Sequence, residues 1–267
     1  MESFFGVIIG FILLLIATGL LWWNEGRAVK RAKALEEGQS SVISVNTDNA
    51  IEDNNGKLIH LSGMPLSEEI LSDAEFGVDI KALRLKRIVE MFQWKEYSDT
   101  YTETYDDGSS ETITTYSYDP VWSSTLINSN VFDDRSYQNP REFRLLAKSY
   151  NAADVKIGAF NLSQNMINEL DRWLDIKIPN TEYPSFEGLR LIQDGPTNIA
   201  YLGFGSPQKP EIGDHRIYFK AVEPETVSVV AQQSGTQLST YETDNGPLEL
   251  VEYGALSSDQ MFEKAKQ

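Results

Sequence analysis

The amino-acid sequence predicts an α+β protein, in which an N-terminal transmembrane helix precedes a mostly antiparallel, β-rich soluble domain with a few helices. An apolar run at residues 4–23 contains neither a charge nor a proline. Beyond it, short runs of aromatic, branched and threonine residues recur between Gly, Pro, Asp and Asn turn signals, which is typical of strands. Only short segments have the spacing of an amphipathic helix. Hydrophobic residues make up 41% of the 267 residues, enough for a folded core.

The apolar run at 4–23 follows a short flank at 1–3 and predicts the transmembrane helix. About 20 helical residues, each rising about 1.5 Å, cross a hydrocarbon core about 30 Å thick. A cleaved signal peptide is the alternative, but the flank has no positive charge and no small-x-small cleavage site follows the run. We therefore predict a retained span, with Trp22 and Trp23 in the aromatic belt of the membrane interface.

Residues 24–38 predict a basic juxtamembrane helix that continues from the span. Its alanines favour helix, and Gly38 is the predicted C-cap. Basic side chains just beyond the span would lie at the level of the lipid headgroups, where each gains about 1 kcal/mol against anionic lipid. A solvated charged helix is the simpler interpretation, and the two are compatible. The predicted membrane-interface residues are Trp22, Trp23, Arg27, Lys30, Arg31 and Lys33.

Residues 39–267 predict one acidic soluble domain. The four acids and four bases of residues 1–37 cancel, so the whole net charge of −17 falls on the residues that follow. That charge repels phosphate, which argues against nucleic acid as a partner. The sequence has no cysteine, which excludes disulfides, zinc–thiolate sites and a cysteine nucleophile.

A hairpin near residues 81–123 is predicted to project from this domain. Asp107-Gly108 separates two runs rich in aromatic and threonine residues, which is a strong hairpin signal. The tip is polar on both faces, so its tyrosines either pack across the strands or form a platform for a partner; we favour packing. The candidate interaction surface comprises Tyr101, Tyr105, Tyr116 and Trp122.

The remaining elements follow from local patterns. Residues 163–174 have the apolar stripe of a helix with Ser163 as its N-cap, and SSDQMFEKAKQ predicts a closing helix capped by Ser257 or Ser258. Further strands are predicted at 40–45, 57–63, 198–204, 215–222, 227–233, 236–243 and 248–254.

No catalytic residue, metal site or cofactor site is predicted. The two histidines, His60 and His215, both lie in strand-like runs, and the sequence contains no HExxH, GxSxG or paired-acid signature. Gly203-Phe204-Gly205 precedes Ser-Pro rather than the start of a helix, so it fails as a phosphate loop. The acids between the first two strands do not have the spacing of an EF-hand. We therefore expect a protein without enzymatic activity.

Several segments resemble the LUMA family, also called the transmembrane protein 43 family, and they occur in the family's order. They are WNEGRAVKRAKALEEG, GKLIHLSG, LRLKRIVEMFQWKE, TTYSYDPVWSSTLINS, IGAFNLS, IGDHRIYF and VSVVAQQSGTQL. The resemblance implies a membrane-anchored, non-enzymatic scaffold that organises membrane-protein complexes. It also implies further membrane helices near the carboxyl end. The sequence stops at Gln267, about where these would begin, as expected of a shortened form or of a distant, for example bacterial, member.

The same resemblance implies partners and a location. Animal members are integral proteins of the endoplasmic reticulum and the nuclear inner membrane, with lamin and emerin as partners, so those two are expected only if this chain is from an animal. The lipid bilayer, other membrane proteins and a second copy of the chain are the more general expected partners. Family topology places the soluble domain on the non-cytosolic side, lumenal or periplasmic. The positive-inside rule places it in the cytosol; we follow the family, because later spans override the charge bias of one flank.

Two other functions stay open at this point. One is an extracytoplasmic module that binds a ligand or lipid in an aromatic groove near Trp94, Trp122 and Tyr116. The other is an envelope hydrolase that uses His60 or His215 as its base.

Overall fold

A computed structural model describes residues 2–179, 189–194 and 197–267. It confirms the predicted class, because one long apolar helix at the amino terminus is followed by a β-rich remainder with few helices. The helices are α1 (Glu2–Ser41), α2 (Gln164–Glu169) and α3 (Ser258–Ala265), and 3-10 turns occur at Glu52–Asn54 and Ser129–Val131. The strands in chain order are β1 (Ile43–Ser44), β2 (Leu58–Gly63), β3 (Leu71–Asp73), β4 (Val78–Ile80), β5 (Arg84–Thr104), β6 (Ser110–Ser123), β7 (Lys148–Asn151), β8 (Lys156–Ile157), β9 (Phe160–Asn161), β10 (Leu174–Ile176), β11 (Leu189–Asp194), β12 (Thr197–Leu202), β13 (His215–Val222), β14 (Val227–Ser234), β15 (Gln237–Ser239), β16 (Tyr241–Thr243), β17 (Gly246–Leu248) and β18 (Leu250–Tyr253).

Contacts divide the chain into two compact units, whereas the sequence analysis treated residues 39–267 as one domain. Unit 1 comprises Met1–Glu68, Ala153–Asp171 and Pro224–Gln267, and unit 2 comprises Glu69–Ala152 and Arg172–Glu223. The chain therefore passes from one unit to the other several times, which no local sequence pattern reveals.

Unit 1 is built on a sheet of order β1-β2-β14-β15-β9-β8, with β18 also paired to β14. Strand β14 reads VSVVAQQS and lies between β2 on one edge and β18 and β15 on the other, so nearly all its side chains are buried. Helix α3 and the end of α1 cover this sheet. Their shared core comprises Leu35, Leu58, Val230, Leu248, Leu250, Met261 and Phe262.

Unit 2 is built on a sheet of order β11-β12-β13-β5-β6, with β10 paired to β13 and β7 to β5. In the first half of β5 the side chains alternate between buried and half-buried, as expected where one face covers a core. From Tyr97 onward both faces of β5 are exposed, and there β5 pairs with β6 alone. The turn residue Gly108 has φ +82°, so the predicted Asp107-Gly108 hairpin is confirmed.

The helix predicted at 163–174 is shorter than the sequence indicates. Ser163 caps it as expected, its Oγ accepting from the Met166 N–H at 3.2 Å, but α2 ends at Glu169 and Leu170 is extended. The predicted apolar stripe does not continue as one helix, because the chain enters unit 2 at Arg172. There the cations of Arg84 and Lys86 lie 4.8 and 3.9 Å from the centroid of the Trp173 ring, and β10 begins at the following residue.

Candidate membrane junction

Helix α1 carries the predicted span and continues beyond it without a break. It is one helix of 40 residues, and the described side chains from Ile9 to Leu21 are exposed on every face. Its apolar stretch is long enough to cross a membrane, and none of its described side chains is buried by the rest of the protein. A helix that is apolar all round without a protein partner is unstable in water, because each Å² of exposed apolar surface costs about 25 cal/mol.

The end of this span carries the predicted interface residues. The exposed fractions of Trp22 and Trp23 are 81% and 63%. One turn later, the guanidinium carbon of Arg27 lies 5.4 Å from the centroid of the Trp23 ring, within cation–π distance. An amphipathic ring beside a cation suits the boundary between acyl chains and headgroups. The lipid contact itself stays a prediction.

The last turns of α1 enter the core of unit 1. Ala34 and Leu35 are buried, with exposed fractions of 3% and 1%. Gly38 packs so closely that a Cβ built on it would lie 2.2 Å from Leu248 Cδ2 and 3.1 Å from Phe262 Cε1. The prediction of Gly38 as a C-cap is wrong: the Val42 N–H donates to the Gly38 carbonyl at 2.9 Å, and the helix ends at Ser41. Gly38 allows close packing because it has no side chain, and it does not form a left-handed turn.

Polar contacts hold α1 on both sides of this core. The carboxylate of Glu37 accepts from the backbone N–H of Asp244 at 3.2 Å and from Asn245 Nδ2 at 3.4 Å, which fixes the β16–β17 turn to the helix. On the other side, Lys266 Nζ of the carboxyl-terminal segment donates to Gln39 Oε1 at 2.8 Å. Span and unit 1 are therefore joined by continuous helix with contacts on two flanks.

Helix α3 supplies the second wall of this junction. Ser257 and Gln260 form a capping box, in which the Ser257 Oγ accepts from the Gln260 N–H and the Gln260 side chain accepts from the Ser257 N–H. This confirms the predicted closing helix and one of its two candidate caps. Met261 and Phe262 are fully buried against α1.

His60, in unit 1, is held by two hydrogen bonds. Ser44 Oγ lies 3.0 Å from Nδ1, and Nε2 lies 3.0 Å from the Leu256 carbonyl. A carbonyl only accepts, so Nε2 carries the hydrogen and Nδ1 accepts from the serine. Burial lowers the pKa of His60 and favours the neutral ring. Although a serine is present, neither hydrogen bond supplies the carboxylate that a triad uses to stabilise a charged imidazole.

His215, in unit 2, is almost completely buried. Its Nε2 accepts from the Arg144 backbone N–H at 3.3 Å, and its ring packs edge-on against Phe143. Burial lowers the pKa of His215, so it is also neutral near pH 7. Across the described ranges, no three His, Asp or Glu side chains are close enough together to hold a metal ion.

Asp214 organises the Gly203-Phe204-Gly205 loop. Its carboxylate accepts from the Tyr201 hydroxyl at 2.5 Å and from the backbone N–H groups of Phe204, Gly205 and Glu211 at 2.9, 3.0 and 2.8 Å. The loop amides that a phosphate would need are thus bound to an internal carboxylate. Burial and the hydrogen bond to Asp214 raise the pKa of Tyr201. No local sequence pattern shows what the Asp214 side chain contacts.

A second buried network in unit 2 also escaped the sequence analysis. Arg87, 2% exposed, donates to Asp73 Oδ1 at 3.1 Å, to the Leu146 carbonyl at 3.0 Å and to Glu75. Tyr150 donates to the other oxygen of Asp73 at 3.0 Å, and burial raises the pKa of this tyrosine to about 12. The groups satisfy one another, so this network is structural.

The candidate interaction surface on the hairpin is divided between two faces. Tyr101 lies opposite Ile113, whereas Tyr116 lies opposite Ser98, one residue out of phase, and so points to the other face. Tyr105 is at the tip and donates to Glu111 Oε2 at 2.8 Å. The four residues are therefore not one continuous surface, and their role in binding stays a prediction.

Trp122, the fourth of these residues, lies half-buried at the base of the hairpin. It borders a cleft of about 250 Å³ with Tyr201 and Arg216, and the Arg216 guanidinium lies 4.7 Å from its ring centroid. Trp122 also borders a second cleft, of about 460 Å³, with Val121 and Phe132, and neither cleft is lined by Trp94 or Tyr116. Trp94 packs on Tyr137 instead, with ring centroids 4.8 Å apart. The aromatic groove expected near Trp94, Trp122 and Tyr116 is therefore not a single large site in the described residues.

Known relatives align with nearly the whole chain. The sequence model of a family described as transmembrane protein 43 matches residues 91–267. Transmembrane protein 43 of Mus musculus is 32% identical over 276 residues, covering 98% of this chain and 67% of the mouse protein. The Homo sapiens protein is 32% identical over 278 residues with the same shares, and the Drosophila melanogaster homolog is 30% identical over 264 residues, 94% of this chain and 67% of the fly protein. No solved structure matches this chain.

Proposed function

This chain belongs to the transmembrane protein 43 family, and we propose that it is a membrane-anchored, non-enzymatic scaffold that organises membrane-protein complexes. The family and the candidate span in α1 make it a membrane protein. The names of the relatives describe membrane proteins and no reaction, which supports a role without catalysis.

The continuity of α1 is the observation that carries this proposal. From Trp23 to Ser41 the helix rises about 27 Å with no linker, and its last turns are part of the unit 1 core. A scaffold must present its binding surfaces at a fixed height above the bilayer, and a continuous helix achieves this where a flexible linker would not.

The buried polar groups support the absence of catalysis. Both ring nitrogens of His60 and the Nε2 of His215 are in internal hydrogen bonds, and both rings are shielded from solvent. A general base must reach the proton that it removes from a substrate, and neither imidazole offers a free, exposed nitrogen. The hydrolase hypothesis therefore receives no support from the described residues.

The family supports a proposed location and proposed partners. We propose the endoplasmic reticulum and the nuclear inner membrane, with the acidic domain on the non-cytosolic side. Other membrane proteins and a second copy of the chain are the proposed partners, and lamin and emerin are proposed only if this chain is from an animal. Protease protection in sealed membrane vesicles tests the side: the domain should resist digestion until detergent opens the vesicle.

Chemical cross-linking in native membranes tests the scaffold. The full chain should capture the same set of neighbouring membrane proteins in repeated preparations. A matched control keeps residues 1–33 and replaces the rest by an unrelated soluble domain of similar size. If both chains capture the same neighbours, or if the full chain is recovered alone, the scaffold proposal is wrong.

A further inference from the structure

Strand β6 forms one edge of the unit 2 sheet. It is 14 residues long, and in the described part of the chain it pairs with β5 alone. Every residue of β6 pairs in one register without a bulge, and most of its side chains are exposed. A long, regular edge strand is a template for one further strand, because its outer N–H and C=O groups have no partner.

The pairing shows which backbone groups of β6 face outward. The Asn139 side chain accepts from the Trp94 N–H at 2.7 Å and donates to the Trp94 C=O at 2.9 Å, so Trp94 turns both groups away from β6. Its partner Pro120 therefore turns its C=O away from β5, and every second residue of an antiparallel pair does the same. These are the even-numbered residues from Ser110 to Trp122. Among the residues that the structure describes, their outward backbone groups have no hydrogen-bond partner.

The opposite edge of the hairpin, on β5, offers a shorter open run. Asn139 already occupies this edge at Trp94, where it bonds the backbone as a neighbouring strand would. The open run on β5 therefore extends only from Glu96 to Thr104, whereas the run on β6 extends from Ser110 to Trp122. An added strand forms more backbone hydrogen bonds along β6.

The acids of the hairpin lie mainly on one of its two faces. Residues 96–119 hold seven acids and no base. Side chains alternate along a strand, so odd-numbered residues of both strands share a face. The exposed acids of this face, called the acidic face below, are Asp99, Glu103, Glu111 and Asp119. The other face carries Glu96 alone, and its carboxylate accepts from the Tyr118 hydroxyl at 2.7 Å. The remaining two acids are in the turn.

This charge decides which kind of strand the edge accepts. Pairing of two β6 strands from two copies of the chain would place two hairpins of seven acids each side by side, and like charges on adjacent strands are destabilising. Natural edges are often protected by lysine, bulges or proline, but β6 has no lysine and no bulge, and its proline lies near the base of the hairpin. Acids therefore protect this edge against a second copy, and they attract a basic strand.

We propose that an extended, basic segment of a partner protein adds to β6 as a further strand of the sheet. Its backbone bonds the outward groups of β6, and its Lys or Arg side chains, at alternate positions, lie on the acidic face. Glu111 and Asp119 are on β6 itself and are the direct neighbours of these cations. The proposal rests on the scaffold role, since it names the kind of segment by which the scaffold holds a partner.

Binding of a designed peptide to the full chain in phosphatidylcholine nanodiscs tests this proposal. The peptide has ten residues in which lysine and threonine alternate. A control peptide has the same composition with its five lysines in a row, so it cannot place all of them on one face of a strand. We expect the alternating peptide to bind at least tenfold more tightly and to slow amide hydrogen exchange at Thr112, Thr114 and Tyr116. Equal binding of the two peptides would mean that charge alone acts, which overturns the proposal.

Two proline variants distinguish the two edges of the hairpin. Thr114→Pro removes an outward N–H of β6 and leaves the bonds to β5 in place, so it should weaken peptide binding about tenfold. Thr100→Pro is the matched control on β5. Thr100 lies directly opposite Thr114, and their hydroxyl oxygens are 3.1 Å apart, so both variants lose the same side-chain contact. The control should bind within about twofold of the parent. The reverse pattern would place the peptide on β5 and contradict the proposal.

A charge variant tests the acidic face without changing the backbone. Glu111→Gln combined with Asp119→Asn should weaken binding of the alternating peptide about tenfold and reduce its dependence on salt. Unchanged binding by this double variant would show that the cations lie elsewhere, and the proposal would be wrong. Unchanged amide exchange in β13 checks that unit 2 is still folded in each variant.

Two further measurements separate the alternatives. Without peptide, exchange at Thr114 should not depend on the concentration of the chain; slower exchange at higher concentration would mean that a second copy occupies the edge, which overturns the proposal. In native membranes, Thr114→Pro should lose neighbours that the parent and Thr100→Pro both capture by cross-linking. If the parent and Thr114→Pro capture the same neighbours, the scaffold role holds but the assignment of its edge is wrong. If the parent captures none although the alternating peptide binds, the edge assignment holds and the scaffold role is wrong.

Discussion

Gly38 of α1 lies against Leu248 of β17 with no room for a side chain between them. A Cβ at this position would lie 2.2 Å from Leu248 Cδ2, and Phe262 and Leu58 close the space on the other sides at 3.1 and 3.2 Å. This contact lets the helix that leaves the membrane become part of the core of unit 1. The join between span and unit 1 therefore depends on the absence of one side chain.

Gly38→Val should separate these surfaces. Overpacking in a well-filled core typically costs about 1–3 kcal/mol, and three added carbons among three buried neighbours should reach about 3 kcal/mol. The free energy of unfolding of the detergent-solubilised chain measures it. The control is Gly26→Val in the same helix, where a Cβ meets nothing within 4 Å. Equal losses in the two variants would show that the helix, and not its packing, is at fault.

Asp214→Asn should destabilise unit 2 by about 2–4 kcal/mol. The carboxylate accepts from three backbone N–H groups and a tyrosine hydroxyl, and an amide has one acceptor oxygen for these donors. Amide hydrogen exchange at Phe204, Gly205 and Glu211 should become faster. Asp79→Asn, on an exposed strand residue of the same unit, should leave these rates unchanged. Unchanged exchange in Asp214→Asn would show that the loop holds its shape without this carboxylate.

Local sequence patterns predicted the elements whose formation depends on residues that are close together in the chain. The strand at 215–222 coincides with β13, and the predicted turn at Asp107-Gly108 joins β5 to β6. The apolar span and its basic continuation also appear as one helix. Each depends on periodicity, charge or turn chemistry within a few residues, which a sequence displays directly.

Contacts between distant residues were not predictable in this way. Glu37 contacts Asn245, which lies 208 residues later in the chain. Gly38 has no side chain, and Leu248 occupies the space that a side chain there would fill. The helix predicted at 163–174 ends early for a similar reason: Trp173 belongs to unit 2, and its ring contacts the cations of Arg84 and Lys86 on β5 of the same unit. Tertiary packing overrides local propensity wherever the two disagree.

Acidification should weaken unit 2 through His215. Its pKa is lowered by burial, so the unfolded chain binds the proton more readily than the folded chain, and stability is lost as pH falls below the ordinary value of about 6.5. Protonation would also set an N–H of His215 against the Arg144 N–H from which it now accepts. Hydrogen exchange in β13 should speed up between pH 7 and pH 5.5, and much less so in His215→Gln.

His60 provides the comparison for this pH dependence. Its pKa is also lowered by burial, but the Ser44 hydroxyl can turn to accept from a protonated Nδ1 while Nε2 keeps its bond to Leu256. Exchange in β2 of unit 1 should therefore respond less to the same change of pH than exchange in β13. A larger response in β2 would contradict the assignment of these hydrogen bonds.

The hairpin beyond Tyr97 is exposed and acidic, and it carries three of the four residues of the candidate interaction surface. Residues 96–119 hold seven acids and no base, and Glu103 lies directly opposite Glu111, a like-charge pair that weakens a ribbon. Tyr101, on the face of this pair, is exposed.

If the scaffold uses this face, Tyr101→Ser should reduce cross-linking to neighbouring proteins several-fold, and those neighbours should be basic at the contact. Tyr116→Ser changes the same residue type on the opposite face and should have little effect. Both variants should unfold within about 1 kcal/mol of the parent, because both rings are exposed. Larger losses of stability, with cross-linking unchanged, would show instead that the tyrosines only brace the strands.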